Sequence, residues 1–215
     1  GAADSMPAAE RERLLGLLLR EARRAGVLIN DLLDLARLDA GIELALGPVQ
    51  LGAVAAAGLD RIALTHPGVH AEVHGPPVWL RADPDRLAQI VTNLLDNAAK
   101  AVAHHGQITV AIEPDADRVL LRVIDDGPGV PAGERSRIFE RMTRLDAARD
   151  REDGGAGLGL AIARGLARAH GGELCCAEPP DGSSGAVFVL RLPLAGPREA
   201  TPEGHPVPGE GLNRQ

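Results

Sequence analysis

The segment from Asp83 to about His105 constrains the fold more strongly than any other part of the chain. Asp83 followed by Pro84 is a favourable pair for starting a helix, because an Asp side chain accepts hydrogen bonds from the first backbone N–H groups and Pro suits the first helical position. Apolar residues then recur at three- and four-residue steps: Leu87, Ile90, Val91, Leu94, Ala98 and Ala101. This pattern predicts an amphipathic helix that buries one side against another layer of the protein.

The opposite side of the same helix carries two carboxamides and an ammonium group. Asn93, Asn97 and Lys100 stand at i, i+4 and i+7, and this spacing places their side chains on one face. Lys100 is also the only lysine in the chain, in which arginine is otherwise the long basic residue. A solvated helix face explains three polar residues about as well as a binding site does, so the choice depends on the rest of the sequence.

The order of the predicted elements indicates the fold class. The pattern predicts helices at 7–39, 51–64, 84–105, 133–141 and 158–170, and strands in IELALGPVQL (ending at Pro48), VHAEVHG, VWLRAD, QITVAIEP, DRVLLRVID, GELCCAE and GAVFVLRLP. Because strands and helices are segregated rather than strictly alternating, we predict an α+β fold. This fold is a two-layer sandwich in which helices cover one face of a mixed sheet, preceded by the long first helix. The polar segment 143–155 is predicted to be a mobile loop.

Composition and charge exclude several classes of protein. The 215 residues are 45% hydrophobic, enough for one buried domain with an appendage. The net charge of −7 argues against a nucleic-acid-binding protein, which needs a concentrated basic face. No apolar run approaches the roughly 20 residues of a membrane span, and the first residues lack the pattern of a secretory signal. The adjacent Cys175 and Cys176 suit neither a structural disulfide nor a metal site, so a cytoplasmic setting without membrane contact fits best.

A glycine-rich segment leads directly into the last predicted helix. Gly155, Gly157 and Gly159 precede or begin that helix, whose N-terminal N–H groups and partial positive charge can bind an anion. Close packing of the helix on a sheet would also favour small residues, so this segment alone does not decide. The pattern matches neither the dinucleotide-binding fingerprint, which needs a surrounding βαβ unit, nor a P-loop, which ends in Gly-Lys-Ser/Thr.

Two further segments have the chemistry of a nucleotide site. Asp125 ends a strand just before Gly127 and Gly129, where it can accept a hydrogen bond from an exocyclic amine such as that of adenine, although such tetrapeptides are more often plain turns. Arg141 and Arg144 stand at the edge of the predicted loop and can reach phosphate oxygens. Carboxamide oxygens, finally, are reasonable ligands for Mg²⁺.

The order and spacing of these segments resemble a known family. NLLDNAAK resembles the N box, DDGPGV the first glycine box, RIFERM the F box and GAGLGL the second glycine box of the catalytic domain of two-component sensor histidine kinases. That domain has the ATP-binding fold of the GHKL type, shared with DNA gyrase, chaperone and mismatch-repair ATPases. The resemblance covers about residues 7–193.

The resemblance implies a Mg·ATP site and assigns its residues. Asn97, with Asn93, would hold Mg²⁺, Lys100 would contact the phosphates, and Asp125 would bind the adenine amino group. Gly127 and Gly129 would make room for the ring, and Arg144 would reach the γ-phosphate. Asn93, Lys100 and Arg144 form the implied catalytic set. The implied nucleotide-binding set is Asn93, Asn97, Lys100, Asp125, Gly127, Gly129, Val130, Arg141, Arg144, Gly155, Gly157, Leu158 and Gly159.

The sequence departs from the family in three places. Ala101 stands where an aromatic often follows the N-box lysine, and Met142 and Thr143 replace the usual aromatic residues after the F box. No histidine precedes His66, whereas the family has a phospho-accepting histidine in the helix before the one that residues 7–39 resemble. Residues 1–40 are therefore expected to be the second helix of a dimerisation domain without its acceptor, residues 41–195 the ATP-binding catalytic domain, and residues 196–215 a disordered tail.

The leading expectation is a histidine kinase catalytic module that binds Mg·ATP. It would donate the γ-phosphate to a histidine of a dimerisation domain, for relay to a response regulator. The parent protein is expected to be a homodimer anchored in the membrane. This segment alone is not expected to autophosphorylate. An ATPase or a serine kinase on the same fold is the first alternative. The ATPase is disfavoured because position 93 is Asn and cannot act as a base toward water. The serine kinase is disfavoured less strongly, because it would not need the long helix before Asp39. The second is a degenerate nucleotide-binding or scaffold module without kinase activity.

Overall fold

The computed structural model describes residues 7–103, 105–143, 156–179 and 184–197. Within these ranges the chain forms α1 (Ala8–Ala40), β1 (Gly47–Gln50), α2 (Leu51–Thr65), β2 (Val69–His74), β3 (Trp79–Ala82), α3 (Pro84–Val102), β4 (Gly106–Asp115), β5 (Arg118–Asp125), α4 (Gly159–Ala169), β6 (Glu173–Ala177) and β7 (Ala186–Pro193). Short 3₁₀ turns at Ala132–Glu134 and Arg137–Phe139 connect β5 to the segment before α4.

The long first helix packs on the rest of the chain only near its C-terminal end. Leu35 is its one buried residue, and its other large apolar side chains are mostly exposed. The helix ends at Gly41, whose φ of 84° lies in the left-handed region that a glycine adopts without steric cost. This confirms the helix predicted at 7–39. No helix among the described residues has the length and apolar character needed to cross a membrane.

The main sheet has five strands in the order β2-β4-β5-β7-β6. Only the β2–β4 pair is parallel, which makes the sheet mixed, as predicted. Alternate residues of β5 point to opposite faces: Val119, Leu121 and Val123 belong to the main core under the helices, whereas Leu120 packs with Val187 and Val189 on the other side. The predicted α+β sandwich, with helices on one face of a mixed sheet and a long helix before it, is confirmed.

The start of α3 is fixed by two buried polar side chains. Asp83 Oδ1 accepts hydrogen bonds from the N–H groups of Asp85 and Arg86, both at 3.1 Å, and its Oδ2 accepts from Ala45 N–H at 2.9 Å. Burial alone would raise the pKa of Asp83, but these three donors outweigh it and hold the pKa below the usual value. His170 Nε2 accepts from Asp83 N–H at 3.1 Å while its Nδ1 lies 2.8 Å from Leu166 O, an arrangement that requires the proton on Nδ1. The end of α4 is thereby tied to the beginning of α3.

Three predicted boundaries are wrong in instructive ways. The strand near Pro48 begins at Gly47 instead of ending there, because only Gly47–Gln50 finds a partner strand, β3. The short helix predicted at 133–141 is two separate 3₁₀ turns. Each is closed by a hydrogen bond between residues three apart in sequence, from Glu134 N–H to Pro131 O and from Glu140 N–H to Arg137 O. Helix α3 ends at Val102, three residues early. The predicted mobile loop beyond residue 143 and the predicted disordered tail beyond residue 197 lie outside the described residues.

Candidate functional site

Asp125 ends β5 as a deeply buried carboxylate with one oxygen satisfied and one not. Asp125 is only 2% exposed. Oδ1 accepts hydrogen bonds from Gly127 N–H at 3.0 Å and from Ala186 N–H at 3.3 Å. Oδ2 is buried and has no hydrogen-bond partner in the part of the chain that the structure describes. A buried acceptor without a donor is costly in a folded protein, so this oxygen indicates a ligand that donates.

The electrostatics of Asp125 agree with that interpretation. Burial raises the pKa of this carboxyl, the neighbouring charge of Asp126 raises it further, and the two backbone N–H groups lower it only in part. A hydrogen-bond donor at Oδ2 would therefore stabilise the ionised form of this carboxyl.

The turn after Asp125 has no room for larger residues. A Cβ on Gly127 would lie 2.9 Å from Asp125 Oδ1 and 3.0 Å from Ala101 Cβ. Gly129 has a φ of +76°, and a Cβ there would lie 2.6 Å from the carbonyl oxygen of Gly185. The backbone thus stays close to Asp125 and to the end of α3. Val130 follows, partly buried against the core, and its carbonyl accepts from Arg135 Nε at 3.3 Å.

Ala101 corrects the predicted core face of α3. The sequence pattern assigns it to the buried stripe, but it is only half-buried, and the stripe continues instead through Leu95, Ala99 and Val102. Position 101 lies at the border between the buried face and the polar face of α3, and its side chain therefore faces the glycine turn at Gly127. The consequence is that the turn after Asp125 and the residue next to Lys100 meet at one end of α3.

The polar face of α3 lies against the N-terminus of α4. Asn93 Nδ2 donates to the carbonyl of Gly159 at 3.0 Å, which leaves its Oδ1 as an acceptor. Helix α4 begins at Gly159, and Leu158 at its N-cap position supplies no side-chain cap, an arrangement that suits an anion. Asn97 lies one turn further along the same face and is half-buried, and Lys100 is exposed beyond it. Oxygen donors from carboxamides beside an anion-binding helix end fit the coordination chemistry of Mg²⁺ with phosphates.

The approach to α4 is closely packed. Gly157 has a φ of +72°, and a Cβ there would lie 2.7 Å from the carbonyl oxygen of Thr143. The carbonyl of Gly157 accepts from Met142 N–H at 3.1 Å, so the start of the predicted loop lies directly on this segment. Leu158 is buried in the core, which leaves only its backbone to face a ligand. Arg144 and Gly155, both predicted site residues, lie outside the described residues.

A cavity of about 260 Å³ joins α1 to these groups. From α3 and α4 it is lined by Asn93, Asp96, Lys100, Ala156 and Gly159, and from α1 by Arg24, Val27, Leu28 and Asp31. Asp31 has a raised pKa, because burial and the neighbouring Asp34 both disfavour its charge more than Lys100 favours it. Sequence patterns did not predict that α1 contributes to this cavity.

Arg141, a predicted phosphate-binding residue, contacts the end of α1 in this structure. Its guanidinium forms an ion pair with Asp39 at the end of α1, and this pairing lowers the pKa of the Asp39 carboxyl. The segment before it is held by Phe139, which packs edge-on against Phe188 with ring centres 6.3 Å apart and lies under the guanidinium of Arg164 at 5.1 Å. The structure therefore brings Asn93, Lys100 and Gly159 to one cavity and Asp125, Gly127 and Gly129 to the adjoining end of α3, with Arg141 turned toward α1.

Two contributors to the site were not singled out in the sequence. Ala186 supplies a backbone donor to Asp125, and a Cβ on Gly185 would lie 1.9 Å from Asp125 O. In the sequence these two residues are marked only by a glycine immediately before a buried strand. That glycine indicates a contact with Asp125 only once β7 is known to pair with β5.

Residues 82–196 match the family model described as histidine kinase-, DNA gyrase B- and HSP90-like ATPase. The chain belongs to this family. The match covers more than half of the 215 residues and includes α3, Asp125 and α4, but not the α1 residues that line the cavity.

The proteins similar to this chain include named sensor histidine kinases. The probable sensor histidine kinase TcrY of Mycobacterium tuberculosis is 38% identical over 186 residues, which cover 85% of this chain and 38% of TcrY. The solved structure of the mycobacterial sensor histidine kinase MprB is 31% identical, with a TM-score of 0.62 over 72% of this chain and all of that one. Full-length ShkA, solved in complex with AMPPNP, is also 31% identical, with a TM-score of 0.75 over 90% of this chain and 41% of ShkA.

These likenesses assign the chain as a catalytic ATP-binding domain of the two-component sensor histidine kinase kind. The chain spans well under half the length of the curated relatives it matches, between 35% and 39% for the first three.

Proposed function

We propose that this chain binds Mg·ATP between α3, the turn after β5 and the N-terminus of α4, and donates the γ-phosphate to a histidine of a dimerisation domain. The observation that carries the proposal is the buried Oδ2 of Asp125, which has no partner among the described residues. The exocyclic amine of adenine is a neutral donor of the right kind for this oxygen.

The triphosphate is proposed to run from this turn along α3 toward α4. Lys100 supplies a positive charge on that path, and the uncapped N–H groups of Gly159 and the following residues supply donors. Asn93 and Asn97 would hold Mg²⁺, which neutralises phosphate charge when it is bound. Asn93 is already oriented for this role, because its Nδ2 is fixed on Gly159 O.

Transfer to an imidazole, rather than hydrolysis, is supported by the absence of a base at position 93. A carboxamide cannot take a proton from water, and Asn93 uses its amide hydrogens to tie α3 to α4. The protein's contribution to phosphoryl transfer would then be positioning and charge neutralisation. Residues 1–40 are proposed as the dimerisation-domain helix and residues 41–195 as the catalytic domain. A response regulator is the proposed final acceptor, and the parent protein is proposed to act at the cytoplasmic side of a membrane.

The nucleotide site can be tested by calorimetric titration of the 215-residue chain with ATP, with and without Mg²⁺. The proposal expects saturable one-to-one binding that Mg²⁺ strengthens in the wild type and strengthens less in Asn97→Ala. A folded protein that gives no heat with millimolar ATP would refute it.

A further inference from the structure

The last third of α1 presents three carboxylates to the catalytic domain. Asp31, Asp34 and Asp39 are the acidic residues that contact or face α3 and the F-box segment. Asp34 is the anchor: its side chain is 13% exposed, and it accepts from Arg86 Nη1 at 3.0 Å and from Gln89 Nε2 at 2.6 Å. Two donors from α3 on one half-buried carboxylate fix the register of α1 on the domain.

Apolar contacts support the same docked position. Leu35 is 7% exposed, and Leu38 lies so close to α4 that a Cβ on Gly165 would approach Leu38 Cδ1 to 2.7 Å. Small residues on α4 thus let α1 approach closely. The rest of α1 has large exposed apolar side chains, so docking depends on this short C-terminal contact.

The other two carboxylates face cations with an expected phosphate role, Lys100 in the proposed function and Arg141 in the sequence analysis. Asp39 forms an ion pair with Arg141. Asp31 and Lys100 line the same cavity, and Lys100 is close enough to favour the charge of Asp31. A carboxylate and a phosphate oxygen are both anionic acceptors, so each competes for the same ammonium or guanidinium group.

We propose that α1 in its docked position is an internal competitor of the nucleotide's phosphates, with Asp39 held by Arg141 and Asp31 facing Lys100 where the triphosphate would otherwise be bound. ATP binding and docking of α1 then weaken each other, and the linkage is reciprocal. The inference rests on the proposed nucleotide site. It predicts that the catalytic domain releases α1 when ATP binds, which frees the helix for other contacts.

The test is the affinity of the whole chain for ATP and for adenosine in Asp39→Asn and Asp31→Asn, each compared with the wild type. Each variant should bind ATP about two- to fivefold more tightly, the range for an exposed ion pair. Adenosine binding should not change, because adenosine has no phosphates. In an Arg141→Gln background, Asp39→Asn should have no further effect on ATP affinity.

The matched control is Asp115→Asn, which makes the same change of charge at the opposite end of the sheet from Asp125. Its affinity for ATP should equal that of the wild type. Equal affinities in all variants, or equal tightening of ATP and adenosine, would overturn the competition.

A second measurement separates failure of this inference from failure of the proposed function. Hydrogen exchange at backbone amides 27–40 should rise when inorganic tripolyphosphate is added to the wild type, even if adenine recognition is absent. Wild-type protein that binds neither ATP nor adenosine refutes the nucleotide site, and the exchange result then decides the competition alone. Unchanged exchange at saturating tripolyphosphate overturns it.

Discussion

Replacing Asp125 by Asn tests the proposed recognition of adenine at a single atom. Oδ1 accepts from two backbone N–H groups, so the variant should keep its carboxamide oxygen there. The carboxamide nitrogen then replaces Oδ2, and a donor faces the adenine amino group, which is also a donor. Water cannot relieve the mismatch at a residue that is 2% exposed.

The magnitude follows from the loss of a hydrogen bond to a charged acceptor, about 1.5–3 kcal/mol, which corresponds to an ATP affinity weakened by about 10- to 150-fold. Inosine triphosphate has a 6-oxo group, which accepts a hydrogen bond, in place of the 6-amino group of adenine, which donates one. Its affinity should rise or hold in Asp125→Asn while that of ATP falls. Calorimetric titration with both nucleotides measures the two affinities directly.

The matched control for this prediction is Asp126→Asn. Asp126 also accepts a backbone hydrogen bond, from Gln107 N–H at 2.9 Å, but unlike Asp125 it is exposed. It should bind ATP as the wild type does. Unchanged ATP affinity in a folded Asp125→Asn variant, or an equal fall for both nucleotides, would refute the assignment of Oδ2 to the adenine amine.

Three other predictions concern the structure around the site. Gly129→Ala should destabilise the fold by about 1–3 kcal/mol in chemical denaturation, because of the positive φ and the nearby Gly185 carbonyl, whereas Gly133→Ala, in open space, should cost far less; equal losses would contradict this. Asp83→Ala should lower the free energy of unfolding by about 1–2 kcal/mol. Because the pKa of Asp83 is lowered in the folded state, its stabilising contribution is present above the unfolded pKa of about 4 and is lost as the pH falls through the folded pKa. The free energy of unfolding should therefore depend less on pH in the acid range in the variant, and an unchanged pH dependence would contradict this. Asn93→Ala should weaken ATP binding more with Mg²⁺ than with EDTA, and an equal effect would exclude Asn93 as a cation ligand.

The pH dependence of ATP binding follows from the raised pKa of Asp125. The carboxyl must be ionised to accept at Oδ2, so the affinity should fall as the pH decreases toward a pKa above the ordinary value of about 4. The Asp125→Asn variant should lack this dependence, which can be measured by the same titration at several pH values.

Local signals allowed most of the fold to be predicted. Asp83 and Pro84 mark the start of α3 within one residue, and the glycine at 41 marks the end of α1, because caps depend on neighbouring residues only. Strands β4 and β5 were predicted from the residue pattern of QITVAIEP and DRVLLRVID. Boundaries failed where tertiary pairing decides, as at β1, which exists only over the four residues that pair with β3.

The site was predictable in its composition but not in its contacts. Asp125 stands out in the sequence as an Asp before glycines, yet its satisfied Oδ1 depends on Ala186, 61 residues later. The pairing of Arg141 with Asp39 spans 102 residues, and no local pattern reports it. The helix predicted at 7–39 likewise carried no local sign that its last turns lie beside the polar face of α3.

Phosphotransfer tests the central claim most directly. The chain is incubated with ATP labelled at the γ-phosphate, Mg²⁺ and a separately supplied dimerisation domain that carries the acceptor histidine, with a His→Gln version of that domain as the control. The account predicts label on the domain that is stable to base and labile to acid, absent from the control and strongly reduced with Asp125→Asn. Label that is released only as inorganic phosphate, or that appears equally on the control domain, would contradict the assignment of this chain as a histidine kinase catalytic domain.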